Sequence, residues 1–126
     1  QWDFIRWRGA VVSAIRGKRG QAFLKEMLAA MDALPEKKLI KEELQDPYDD
    51  GAVCALGAVG KARGLDMSKL DPEDIESVAA FFEIPRALAA EVVYMNDEGL
   101  FFRMDADLRY RKMREWIEKL ISGGKP

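Results

Sequence analysis

The stretch Ile75–Tyr94, IESVAAFFEIPRALAAEVVY, constrains the fold more than any other part of the chain. Apolar residues recur there at helical spacing on both sides of Glu83, and Pro85 follows Ile84, so two short amphipathic helices must meet at Phe82-Glu83-Ile84. This is the pattern of a helix-turn-helix. Ala79 is the small residue where the helices touch, Ile84 plugs the turn, and Val78, Leu88 and Val92 face the core. Glu83 stands where glycine is usual, a departure that puts the tight turn in question. A DNA reader presents Arg, Lys, Asn, Gln or Ser from its second helix, whereas this one offers Arg86 and Glu91. Glu73, Asp74, Glu76, Asp97 and Glu98 nearby would repel phosphate.

The rest of the chain also reads as helix. Trp2, Ile5, Val12 and Ile15 form one helical stripe over residues 2–16, widened by Phe4, Trp7 and Val11. Gly17-Lys18-Arg19-Gly20 breaks it and is expected to expose a basic turn. Phe23, Met27, Ala30, Met31 and Leu34, with Leu24 and Leu28 beside them, define a second helix that Pro35 ends. Residues 36–50 fit either a short helix or a small two-stranded element, closing in the turn formers Gln45–Gly51. Asp50 is then the expected cap of a helix over Ala52–Arg63, rich in small residues and stopped by Gly64. Asp71, with Pro72 behind it, is the expected cap of a helix over 72–82, followed by one over 85–95. Phe101, Phe102 and Met104 are expected to cross the surface before a last helix, Asp107 to Ile121, that buries Tyr110, Met113, Ile117 and Leu120. The expected architecture is all-α, a single domain over 1–126 of five to seven short helices, with the helix-turn-helix-like pair at about 72–95 and a small β element near 36–50. Phe23, Met27, Leu56, Val78, Ile84, Leu88, Val92, Met113, Trp116 and Ile117 are its expected core.

The net charge of −2 hides a segregation along the chain. Arg6, Arg8, Arg16, Lys18, Arg19 and Lys25 face Asp3 alone within residues 1–25, and the last helix is also basic. The middle is acidic, so a polyanion would meet the termini. The chain has no histidine, which excludes a Ser-His-Asp or Cys-His centre and any His-containing zinc site built from this chain. A single cysteine, Cys54, excludes an internal disulfide and suits a reducing cytoplasm. No leader and no apolar run long enough for a bilayer is recognised.

Candidate chemistry is sparse. Cys54 at a helix start would gain nucleophilicity from the helix dipole, yet a small buried thiol among alanines explains it better. The acidic turns Asp46/Asp49/Asp50 and Asn96/Asp97/Glu98 do not match a calcium loop: Tyr48 falls at a ligand place and Gly57 where the closing Glu belongs. No enzyme activity, cofactor or metal is therefore expected. Arg6, Lys18 and Arg19 with Trp2 and Trp7 are candidates for gripping a partner, as are Arg86 and Phe101.

Three segments carry a likeness. Gly20-Gln-Ala-Phe-Leu-Lys-Glu-Met-Leu-Ala-Ala-Met-Asp-Ala-Leu-Pro-Glu-Lys37, Val53-Cys-Ala-Leu-Gly-Ala-Val-Gly-Lys-Ala-Arg-Gly64 and Tyr94-Met-Asn-Asp-Glu98 resemble an uncharacterised family of small phage- and prophage-encoded bacterial proteins, over about residues 15–121. The resemblance implies provenance and brings no reaction or site residue with it. A phage setting implies a cytoplasmic binding module that docks on and modulates a host protein, defence systems included. A helix-turn-helix DNA-binding regulator is the alternative, and a homodimer through the helix at 2–15 stays open.

Overall fold

The computed structural model describes residues 2–97 and 105–123. Helix α2 (Lys18–Asp32) is the element on which the others are assembled: it packs against α1 (Trp2–Arg16), α3 (Ala55–Ala62) and α6 (Ala106–Ile121). Its apolar face, Phe23, Leu24, Met27, Ala30 and Met31, is buried as the spacing predicts. Helices α4 (Ile75–Phe82) and α5 (Arg86–Asp97) form the helix-turn-helix-like pair, and α5 also rests on α1, α3 and α6. A hairpin of β1 (Gln45–Asp46) and β2 (Asp49–Val53) supplies the small β element. The ladder is antiparallel, pairing Gln45 with Val53 and Asp46 with Asp49. One apolar cluster runs through these elements, and all ten expected core residues lie in it. Among the described residues no helix is long and apolar enough to cross a membrane.

The turn between α4 and α5 forms without glycine. Glu83 adopts the left-handed conformation (φ 58°, ψ 44°), Ile84 N–H donates to Ala79 C=O (3.0 Å) and Glu83 N–H to Ala80 C=O (3.2 Å). Those two bonds are the Schellman pattern, and Ile84 is buried behind them. The Arg19 guanidinium donates to the Glu83 carbonyl at 2.8 Å and helps hold the bend.

Local capping moves several expected boundaries. Asp71 Oδ1 accepts from Glu73 N–H (2.9 Å) and so closes a turn; Asp74 instead caps α4, accepting from Ser77 N–H (3.2 Å). Residues 72–74 therefore precede the helix. Ala52 and Val53 belong to β2, and the cap of α3 is Cys54 rather than Asp50. The four-residue basic turn is also absent: α2 restarts at Lys18, directly after Gly17. Gly20 lies inside α2 because a Cβ there would collide with the Ala14 carbonyl, so it sets the close crossing of α1 and α2. On α1 the buried face is Val11 and Ile15, with Trp7 partly buried against the core, while Ile5 is 59% exposed.

Candidate functional site

Two of the likeness-bearing segments, 53–64 and 94–98, meet through Ala55 and Asn96, in a polar knot under the surface that also takes in residues 39–42 and Arg109. Asn96, 1% exposed, offers its Oδ1 to Ala55 N–H (3.2 Å) and donates from Nδ2 to Ile40 C=O (2.9 Å) and to Asp97 Oδ1 (2.7 Å). Asp97 Oδ1 in turn accepts from Glu42 N–H (3.0 Å). Buried Arg109 on α6 reaches across, donating to the carbonyls of Asn96 (3.1 Å) and Leu39 (3.2 Å). One amide thus ties α5 to the start of α3 and to the strand-like segment before the hairpin. Gly57 completes the junction, since a Cβ there would overlap the Leu44 carbonyl. These residues hold the fold, which accounts for them without a ligand.

Cys54 belongs to the same junction. Its sulfur accepts from Gly57 N–H at 3.3 Å, and burial pushes the thiol up to about 12. A protonated, buried sulfur at neutral pH is a poor nucleophile. No group of three or more His, Cys, Asp or Glu among the described residues is placed to hold a metal ion.

The basic residues expected to grip a partner are spread over the surface. Lys18 and Arg19 are exposed on the first turn of α2, with Arg19 turned to the Glu83 carbonyl. Arg6 is exposed on α1, whereas Trp7 on the same helix is half-buried in packing against the core. Arg8, counted with the basic N-terminal segment, is committed inward: its guanidinium meets the buried carboxylate of Glu91 on α5 at 3.2 Å. Arg86 is exposed beside Glu76 at 3.8 Å. Phe101 and the side chain of Trp2 lie outside the described residues.

What the structure brings together is a different set. With Leu88, Ala89, Val92 and Asn96 buried, the outer face of α5 carries Ala90, Val93 and Tyr94, and Tyr94 is 50% exposed. Ile75, at the start of α4, joins them to floor a groove. Glu42, Glu73 and Asp97 stand at its rim. This face was open to the sequence, since residues 90, 93, 94 and 97 are the helical complement of the core positions 88, 89, 92 and 96. The rim was not, because Glu42 arrives from a separate segment held by the Asp97 bond.

The electrostatics of the pair follow. A helix inserted in a DNA groove needs donors and cations on its outer face; α5 presents methyls, a phenol and a carboxylate there, with Arg86 its single Lys or Arg. Comparison of the chain with protein-family models, curated proteins and solved structures gives no match.

Proposed function

We propose that this chain is a small phage- or prophage-encoded binding module that acts in the bacterial cytoplasm by docking on a host protein and modulating it, defence factors included. It binds and does not catalyse. The observation that carries this reading is the outer face of α5, where the helix-turn-helix-like scaffold presents Ala90, Val93 and Tyr94 beside acidic Asp97 and Glu73. Partly exposed apolar and aromatic side chains at the centre of a face, with charge at its margin, are what protein interfaces use. Phosphate is disfavoured by the same carboxylates. The likeness of the three sequence segments to phage and prophage proteins supports the provenance.

Affinity capture from a bacterial lysate, with and without nuclease, tests the reading. Capture of one protein that resists nuclease, that is lost on Tyr94→Ala and that is kept on Arg86→Ala is the expected result. Recovery of a specific DNA sequence that depends on Arg86 overturns it in favour of a DNA-binding regulator.

A further inference from the structure

The groove on α5 adjoins, at Pro72, a second depression between the hairpin and the 67–72 segment, lined by Leu44, Met67 and Leu70. Pro72 lines both. Among the described residues the charged ones of the first are Glu42, Glu73 and Asp97, those of the second are Glu43 and Asp46, and no lysine or arginine lines either. In a chain with 20 Lys/Arg against 22 Asp/Glu, a track whose charged lining among the described residues is wholly acidic is a strong segregation.

We propose that this track takes a peptide segment of the partner protein in which lysines or arginines flank apolar anchor residues. The inference rests on the docking function above and names the chemistry of its partner. The floor supplies apolar area for anchors, with Tyr94 as an amphipathic ring that covers them and keeps its hydroxyl in water. The rim carboxylates attract the flanking cations and raise the rate of encounter. Asp97 is fixed by its bonds to Asn96 and to the Glu42 backbone, so one part of the rim is preorganised. An acidic peptide or a nucleic acid would meet repulsion along the whole length.

Selection from a random-peptide display library on the full chain, with the Glu42→Lys/Glu73→Lys double variant as counter-target, tests this. Both glutamates are exposed and their side chains make no contact that the core uses, and circular dichroism with a thermal melt checks that the variant folds. The enriched peptides are expected to carry Lys or Arg around aliphatic or aromatic residues. A synthetic copy, followed by fluorescence anisotropy, is expected to bind about tenfold or more weakly to the double variant and, separately, to Tyr94→Ala. Acidic or uncharged enriched peptides, equal affinity for the double variant, or no enrichment overturns the proposal. So does a dimer in light scattering that Glu73→Lys splits, since a second copy would then be the occupant. A lysate partner still captured by the double variant removes the track and leaves the docking function. Basic peptides that bind the track with no host partner captured do the reverse.

Discussion

Asn96 shows how a single buried side chain can outweigh an exposed cluster of charges. It satisfies the Ala55 N–H at the start of α3 and the Ile40 carbonyl, both far away in sequence. Asn96→Ala leaves those groups buried and unpaired, and a loss of about 2–4 kcal/mol is expected in urea unfolding. Asn96→Asp removes both donors and should cost a similar amount. Cys54 acts at the same junction as a cap, so Cys54→Ala is expected to cost about 1 kcal/mol. Its thiol, raised from an ordinary 9.0 to about 12, should resist iodoacetamide in the folded protein at neutral pH and react once the chain is unfolded. Rapid native alkylation, followed by mass spectrometry, would contradict this placement and reopen a catalytic reading.

At the scale of the element, the α4–α5 turn is the informative case. The left-handed residue in a Schellman cap is most often glycine, and Glu83 holds that conformation with a Cβ that disfavours it. The Arg19 bond to its carbonyl does not depend on the Glu83 side chain. Glu83→Gly is therefore expected to stabilise the protein by about 0.5–1 kcal/mol in chemical denaturation. Ile84→Ala, which empties the space behind the same turn, is expected to cost about 2–5 kcal/mol. If Ile84→Ala were neutral, the turn would not be packed as described. On the outer face of α5 Val93 packs against the core, whereas Tyr94 is half exposed and lies outside that cluster, which is why Tyr94→Ala is the variant that reports on binding.

For the whole molecule, two questions are set by how the ends join the centre. Helix α1 buries Val11 and Ile15 and pairs Arg8 with the buried Glu91, so it belongs to the core. Deleting residues 1–16 exposes that carboxylate's apolar surroundings, and the expected product is unfolded by circular dichroism. A folded monomer from a dimeric parent would instead identify α1 as a dimer arm. The second question is pH. Arg114 holds the Asp32 carboxyl, and Arg63 the Glu26 carboxyl, below their ordinary 3.8 and 4.5 through two-pronged hydrogen bonds. Depressed carboxyls stabilise the fold above those ordinary values, and that stability is lost as pH falls through them. Cys54 and Tyr110, each pushed up to about 12 by burial, act in the opposite sense: the fold binds their protons more tightly, so stability falls as pH rises past the ordinary 9.0 and 10.0. Urea midpoints should accordingly form a plateau between about pH 5 and pH 9, with a fall on both sides.

What the sequence determined by itself was local. Helical spacing identified most of the ten core positions, because a residue three or four places from a buried neighbour on a helix must share its face, and the turn pattern identified Ile84. Gly64 ended α3 as expected, in the left-handed conformation with φ 69° that glycine adopts without strain. The outer face of α5 was legible in the same way, as the complement of its core. Choices between locally equivalent solutions fell to tertiary structure. On α1 the stripe of Trp2, Ile5, Val12 and Ile15 and its neighbours Phe4, Trp7 and Val11 are both apolar at helical period, and packing on α5 and α2 buries Ile15 of the first and Val11 of the second while leaving Ile5 exposed. Asp50 and Asp71 were the expected caps, and the hairpin and the 71–74 turn passed those roles to Cys54 and Asp74. The acidic rim depended on the fold most of all. Glu42, Glu73 and Asp97 lie far apart in the chain, and no periodicity links them; only the meeting of three segments around Asn96 and Pro72 places their charges along one groove.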